Sequence, residues 1–171
     1  MQNKYAVKNI QFYNRGISSL LKETLSMLKD SSAGKKVTLL DLGTGDGVII
    51  QSLLYQHIID KLDRILGIDI AKERCLNAAR NIRDAHFIVG DALKLPIQDG
   101  SIDLVNAWMV IEHVTNDQSM LREVYRVLKD EGCLIISTVV KKRWAVYFYR
   151  RDNKFVLDPT HIRNINLKRN S

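Results

Sequence analysis

The stretch 39–50, LLDLGTGDGVII, joins an acidic residue, Asp41, to the glycines Gly43, Gly45 and Gly47. Glycine lets a backbone turn sharply and approach a ligand closely, because it has no Cβ. The apolar run before the loop is typical of a parallel strand that is covered on both faces. Open parallel sheets bind ligands beyond the carboxyl ends of their strands. The spacing therefore indicates a ligand-binding loop with a carboxylate at its strand end.

Three ligand classes compete for such a loop. A triphosphate site would have GxxxxGK followed by Ser or Thr, whereas this loop has Asp46 and no lysine. A dinucleotide site would have a third glycine where Val48 stands, and Asp41 and Asp46 would repel its pyrophosphate. The negative charge favours a cationic ligand, and the sulfonium nucleoside S-adenosylmethionine meets these demands because a carboxylate can hold its amino group.

Alternating apolar segments predict an α/β fold around the loop. We expect strands at 37–43, 64–69, 85–91, 101–108 and 133–140, and helices at 17–29, about 46–56, 71–83 and 116–129. Because parallel neighbours need helical crossovers, this order predicts a doubly wound, mostly parallel sheet. Helical spacing places Leu76, Ala79 and Leu121 among the inward-facing residues. No definite strand is predicted after residue 140, where 143–150 fits either a helix or a strand.

Composition indicates one soluble domain. The chain has 171 residues, of which 46% are hydrophobic and 26% charged. It shows neither a signal-peptide core nor an apolar run of the roughly 18 to 20 residues that a membrane span needs. We therefore expect a cytoplasmic protein. Cys75 and Cys133 have no CxxC partner or histidine pair nearby, so neither a disulfide nor a metal site is predicted.

Charge is concentrated in one part of the chain. Nine of the 26 Lys and Arg residues, but only two of the 19 Asp and Glu residues, lie from Lys141 onward. This part carries the whole net charge of +7, and residues 1–140 are balanced. Basic ends often face phosphates, nucleic acid or anionic lipid, although a solvated end is equally consistent. We divide the chain into an N-terminal helical arm (1–35), a cofactor-binding core (36–140) and a basic C-terminal segment (141–171).

The motifs also carry a family resemblance. LLDLGTGDG resembles the first motif of the class I S-adenosylmethionine-dependent methyltransferases, in the type 11 branch with the ubiquinone- and menaquinone-pathway C-methyltransferases. The segments 65-ILGIDI-70, 90-GDALKLP-96, 99-DGSIDLVNAWMVIEHV-114 and 123-EVYRVLKDEGCLII-136 resemble its later motifs in order. The resemblance covers about residues 36–139 and implies a Rossmann-like fold, a methyltransferase activity and S-adenosylmethionine as cofactor.

The resemblance also implies roles for individual residues. Asp69 would bind the ribose hydroxyls, Asp91 the adenine amino group, and Ala107 the methionine end through its backbone. The implied cofactor-binding set is Asp41, Gly43, Thr44, Gly45, Gly47, Asp69, Ile70, Asp91, Ala92, Leu93 and Ala107. Each carboxylate has a structural alternative: Asp41 could support the loop, Asp69 could be the N-cap of the predicted helix that begins at Ala71, and Asp91 could cap a turn before Pro96.

Other residues are candidates for binding or deprotonating the molecule that accepts the methyl group. His113, at the start of the fourth predicted helix, and His161, in 158-DPTHIR-163, are candidate bases, and structural roles stay open for both. Tyr13, Arg150 and Arg163 are candidate substrate contacts, and the basic tail suggests an anionic small molecule. Alternatives are an RNA methyltransferase or a non-catalytic cofactor-binding partner subunit.

The resemblance also has a consequence for the sheet. Relatives of this branch finish it with a further antiparallel strand pair, which we expect this chain to lack. Its fifth strand would then be an open edge of the sheet. The basic segment of a short monomeric enzyme could cover this edge, or a homodimer could share it. A fragment that binds the cofactor but lacks part of its acceptor site would leave it open.

Overall fold

The computed structural model describes residues 19–31, 37–58, 62–138, 148–151 and 154–157. Three predicted site residues, Tyr13, His161 and Arg163, lie outside the described residues. Within the described ranges no helix is both long and apolar enough to cross a membrane.

The core of the chain alternates strands and helices as predicted. Its elements are α1 (Ser19–Ser31), β1 (Val37–Leu42), α2 (Val48–Tyr55), β2 (Leu62–Asp69), α3 (Lys72–Asn81), β3 (His86–Val89), β4 (Ile102–Trp108), α4 (Asp117–Val127) and β5 (Leu128–Ser137). These strands form a sheet in the order β3-β2-β1-β4-β5, with parallel pairing throughout. The predicted doubly wound parallel fold is confirmed.

Helices cover both faces of the central strand. Leu39 of β1 packs into a core with Leu21 and Leu25 of α1 and with residues of α2. Its neighbour Leu40 points to the opposite face, into a core with Met120 and other residues of α4. Successive strand side chains alternate between faces, so a strand covered on both sides is apolar at nearly every position. This explains the continuous apolar run before the glycine loop.

Strand order also explains where a ligand can bind. The chain passes from β1 outward to β2 and β3, then returns to the other side of β1 for β4 and β5. Strand order therefore reverses between β1 and β4. The crevice at such a reversal, beyond the carboxyl ends of the strands, is the usual ligand site of an open parallel sheet.

Three predicted core residues face solvent instead. Leu76 and Leu121 are exposed, and so is Ala79. Buried in α3 are Cys75 and Ala78, and in α4 Met120, Val124 and Val127. Both sets of apolar residues fit a spacing of three and four, so periodicity could not choose the face. Packing against the sheet chose it.

The end of the fourth helix also differs from the prediction. The sequence predicts a helix over 116–129 and a strand over 133–140, with Asp130-Glu131-Gly132 between them. In the structure α4 ends at Val127 and β5 (Leu128–Ser137) follows directly, so that Asp130-Glu131-Gly132 belongs to the strand. Its pairing with β4 shifts register between Ile102 and Leu104. This irregularity in the pairing lets the segment that contains Gly132 remain part of the strand.

A second small sheet follows the core. β6 (Phe148–Arg151) and β7 (Lys154–Leu157) form an antiparallel pair that is separate from the five-stranded sheet. The prediction of no definite strand after residue 140 is therefore wrong for these residues. Among the described strands, β5 ends the large sheet at one edge and β3 at the other.

Arg126 of α4 anchors the loop between β3 and β4. Its guanidinium donates hydrogen bonds to the carbonyl oxygens of Leu95 (3.0 Å) and Ile97 (2.8 Å). It also binds Glu123 (Nη2 to Oε2, 2.7 Å), whose Oε2 accepts the Leu95 amide proton. The hydrogen bond and charge of Arg126 lower the pKa of the Glu123 carboxyl. The loop that begins at Asp91 is thereby held against α4.

We expect Arg126→Ala to destabilise the protein by about 2 kcal/mol, because two loop carbonyls and Glu123 lose their donor. Denaturant unfolding measures this change. Arg122→Ala is the control on the same helix, since its guanidinium makes an exposed hydrogen bond to the Ser119 hydroxyl, and we expect a change within about 0.5 kcal/mol. Equal effects of the two substitutions would contradict the anchoring role.

Candidate functional site

The loop after β1 depends on glycine at three positions. Gly43, Gly45 and Gly47 have φ values of +70°, +57° and +78°, in the left-handed region that other residues rarely adopt. Their neighbours are equally restrictive. A Cβ on Gly43 would collide with Val110, and one on Gly45 with the Arg74 guanidinium. The predicted glycine turn is thus required both by backbone conformation and by packing.

Asp69, the last residue of β2, holds this loop in place. Its Oδ2 accepts the Gly45 amide proton at 2.8 Å and its Oδ1 accepts that of Ala71 at 2.9 Å. The N-cap of α3 is Ala71. The alternative that Asp69 is the N-cap residue of this helix is therefore wrong. A carboxylate has about four lone-pair sites. These two hydrogen bonds therefore use about half of the capacity of the Asp69 carboxylate to accept protons.

Asp41 and Asn106 form a buried polar pair where β1 and β4 meet. The two residues are partners in the strand register, and Asn106 Nδ2 donates to Asp41 Oδ1 at 2.7 Å. They are only 2% and 1% exposed. Asp41 Oδ2, Asn106 Oδ1 and the nearby Thr44 Oγ1 have no hydrogen-bond partner among the described residues. Within the described ranges, three buried polar atoms therefore lie near the β1 and β4 ends without a hydrogen bond of good geometry, although the Thr44 hydroxyl is close enough to lower the pKa of the Asp41 carboxyl.

Burial raises the pKa of Asp41 from 3.8 to about 6, against the opposing hydrogen bond from Asn106. The negative charge of Asp69 raises this pKa further. Asp41 pairs with Gly67 and Leu42 with Ile68 in the parallel register of β1 and β2, so Asp41 and Asp69 lie at the same edge of the sheet. The ends of β1 and β2 therefore converge on one site, as the sequence predicts.

The end of β3 adjoins the same edge. The Gly90 amide donates to the Asp69 carbonyl at 3.0 Å, which places Asp91 next to the β2 end. Asp91 is exposed, and its Oδ1 accepts the Leu93 amide proton at 2.9 Å. Asp91 therefore does cap a turn, as its structural alternative predicts. This hydrogen bond involves only one of its two carboxylate oxygens. Beside it, Ile70 has 74% of its surface exposed, and Ala92 and Leu93 are half-buried.

The chain turns sharply after β4. Ala107 is buried, 1% exposed, and Met109 adopts φ +56°, a conformation that costs a non-glycine residue about 1 kcal/mol or more. The Met109 amide donates to the Ser137 carbonyl of β5 at 2.7 Å. The turn lays Val110 against Gly43, so the loop after β4 borders the glycine loop.

His113 lies in the turn that follows. It is exposed, and its amide donates to the Val110 carbonyl at 2.9 Å. The prediction that it starts a helix is wrong, because α4 begins at Asp117 with Asn116 as its N-cap. Asn116 Oδ1 accepts the Ser119 amide proton, which a residue at position 113 could not reach.

Sequence reasoning missed Glu112. This residue is fully buried, with 0% exposure. The Thr138 hydroxyl donates to its Oε2 at 3.0 Å, while Oε1 has no hydrogen-bond partner in the part of the chain that the structure describes. A signal was available, because Glu112 is the one acidic residue in the apolar run 107–112, AWMVIE.

Asp46 does not act as the sequence argument assumed. Its carboxylate accepts hydrogen bonds from Arg74 Nε at 3.3 Å and from Asn77 Nδ2 at 3.0 Å, both on α3. The salt bridge to Arg74 compensates its charge. The negative character of the crevice therefore comes from Asp41 and Asp69.

Arg150 belongs to β6, in the separate hairpin. No group of three or more His, Cys, Asp and Glu residues able to hold a metal ion occurs within the described ranges.

Comparison with known proteins gives the site a family. The family described as a methyltransferase domain matches residues 40–136. A demethylmenaquinone methyltransferase from Thermotoga maritima is 32% identical over 129 residues, which are 68% of this chain and 54% of that protein. An ajmaline N-methyltransferase from Rauvolfia serpentina is 30% identical over 146 residues, which are 80% of this chain and 48% of that protein.

A solved structure is also similar to this chain. The crystal structure of the PH0226 protein from Pyrococcus horikoshii OT3 is similar with a TM-score of 0.56 and 30% identity, over 74% of this chain and 57% of that chain. This chain spans about half the length of the curated relatives it matches. Because the family match covers more than half of the 171 residues, the chain belongs to the methyltransferase domain family.

Proposed function

We propose that this chain binds S-adenosylmethionine at the ends of β1, β2 and β4 and transfers its methyl group to a small-molecule acceptor. Family membership supports the reaction type, and relatives named for demethylmenaquinone and ajmaline support a small acceptor. The observation that carries the proposal is the set of buried, unpartnered polar atoms of Asp41, Thr44 and Asn106. Each costs about 1–3 kcal/mol while it lacks a partner, so a ligand with donors is favoured there.

The methionine end of the cofactor fits this part of the crevice. Its ammonium group carries three N–H donors, and Asp41 Oδ2 is an acceptor without a donor. Its carboxylate would meet the start of α2, where Gly47 is the N-cap, no described side chain caps the helix and the first turn holds no acidic residue. Helix N-termini bind anions through free amides and the helix dipole.

The adenosine end fits the neighbouring strand ends. Asp69 would accept protons from the ribose hydroxyls through its remaining lone pairs, while continuing to hold Gly45. Ile70 offers an exposed apolar surface for the adenine ring, beside Ala92 and Leu93. Asp91 is exposed and would accept a proton from the adenine amino group. The implied cofactor-binding residues thus suit one extended ligand.

Bound S-adenosylmethionine would supply a methyl group already activated by a sulfonium. The chain's own part is then to bind the cofactor and to hold the acceptor close and aligned, because proximity and orientation supply much of the rate. His113 and His161 are the sequence candidates for a base, and Tyr13, Arg150 and Arg163 those for binding an anionic acceptor. Within this proposal, 36–140 is the cofactor-binding core, flanked by the arm 1–35 and the basic segment 141–171.

We expect Asp41→Asn to have opposite effects on stability and binding. The folded-state pKa of Asp41 is raised to about 6, so the free protein loses about 3 kcal/mol of stability as pH rises from 3.8 to 6 and this group ionises. The amide removes that loss, and its new donor suits the unpartnered oxygens. The unfolding midpoint at pH 8 should therefore rise.

Binding should change in the other direction. Loss of the charge should weaken S-adenosylhomocysteine about tenfold or more in calorimetry. Wild-type affinity should also fall as pH drops below about 6, while that of Asp41→Asn stays flat. The exposed Asp84→Asn is the control. Unchanged binding by Asp41→Asn would remove Asp41 from the cofactor site.

Adenosine alone should separate the two ends of the site. We expect Asp69→Asn to weaken both adenosine and S-adenosylhomocysteine by about tenfold, because a charged hydrogen bond to ribose is lost. Asp41→Asn should leave adenosine within about twofold of wild type, since adenosine has no amino acid part. Calorimetric titrations of both ligands against both variants make the comparison. If both variants lose adenosine equally, the proposed orientation is wrong.

A further inference from the structure

Glu112 is a buried carboxyl group that the proposed cofactor contacts do not use. It has 0% exposure, and its Oε1 lacks a hydrogen-bond partner among the described residues. The Thr138 hydroxyl, just after β5, orients the other oxygen at 3.0 Å. A buried carboxyl with one oxygen oriented and the other unpartnered is costly for stability. Such an arrangement fits an atom that receives a donor from a ligand.

The surrounding contacts place Glu112 on one side of the crevice. The Met109 amide bonds the Ser137 carbonyl, so the ends of β4 and β5 are joined directly beside it. Val110, two residues earlier, lies against Gly43 of the glycine loop. Asp69 and Ile70, proposed for adenosine, follow β2 on the far side of β1. Glu112 therefore lies at the carboxyl ends of β4 and β5, on the side of β1 opposite the proposed adenosine end.

From this position we propose that Glu112 binds the methyl acceptor through a proton-bearing nucleophile, a hydroxyl or an amine, and takes up its proton at Oε1. The inference rests on the proposed function. The donors of the cofactor's ammonium and ribose are matched by Asp41 and Asp69, which leaves the acceptor as the source of a donor for Glu112. Since Glu112 is covered in the free chain, the loop 109–114 has to shift to admit the acceptor.

The proposed reaction transfers one methyl group to the acceptor and one proton to Glu112. The acceptor's oxygen or nitrogen forms a bond to the methyl carbon, and the carbon–sulfur bond breaks with its electron pair going to sulfur. The acceptor's proton passes to Glu112 Oε1, so the products are the methylated acceptor, S-adenosylhomocysteine and a protonated carboxyl group. Thr138 keeps the carboxyl oriented throughout. Because a negative carboxylate at this point would repel an anion, the reacting group is neutral.

The test uses catechol and aniline as probes, titrated calorimetrically into the wild-type complex with S-adenosylhomocysteine. We expect at least one to bind, and Glu112→Gln to weaken that probe about tenfold while S-adenosylhomocysteine binds within about twofold. Thr138→Val keeps the carboxyl and removes its orienting donor, and should weaken the probe about threefold. The exposed Glu131→Gln is the matched control and should match wild type.

Each other outcome decides against the inference. Probe affinity unchanged in Glu112→Gln, or no binding of either probe to the wild-type complex, overturns it. Loss of S-adenosylhomocysteine binding in folded Glu112→Gln assigns the residue to the cofactor instead. If Glu112→Gln fails to fold by circular dichroism, Thr138→Val decides, and unchanged probe affinity there overturns the inference. A wild-type chain that binds no S-adenosylhomocysteine contradicts the proposed function itself.

Discussion

The hydrogen bond from the Gly45 amide to the Asp69 carboxylate joins the loop after β1 to the end of β2. A buried hydrogen bond to a charged group contributes about 1.5–3 kcal/mol. It holds a loop whose left-handed glycines direct the chain into α2. Val110 from the β4–β5 side packs on Gly43 of that loop. The position of three neighbouring segments therefore depends on one carboxylate at a strand end.

Two kinds of carboxyl group can be distinguished in this molecule. Asp46 and Glu123 form salt bridges with Arg74 and Arg126. Asp46 thereby joins the glycine loop to α3, and Glu123 joins α4 to the loop after β3 through the Leu95 amide. Asp41 and Glu112 are more deeply buried, and each keeps one oxygen without a partner among the described residues. The first kind stabilises the fold. The second kind lowers its stability locally, at strand ends where the fold places ligands.

Much of the fold follows from patterns that are local in the chain. The apolar run of β1, the glycine spacing after it and the alternation of strand and helix periods each reflect neighbours in sequence, so these predictions are confirmed. The helix faces are different, because Leu121 and Met120 fit the periodicity equally well and only contact with the sheet decides between them. The register shift that carries β5 through Gly132 likewise depends on its partner β4.

The sequence by itself determined which residues end the strands and which positions must be glycine, since side-chain type and backbone freedom are properties of single residues. It also determined the family, through five ordered motifs. Only the tertiary structure decided which carboxylates lack partners. Asp46 meets Arg74 from a helix that follows the next strand, whereas Glu112 meets Thr138 across two strand ends. Which carboxylates pair and which are buried depends on residues that are distant in the chain. Only the folded structure therefore distinguishes a carboxylate that is paired within the protein from one that keeps an oxygen without a partner among the described residues.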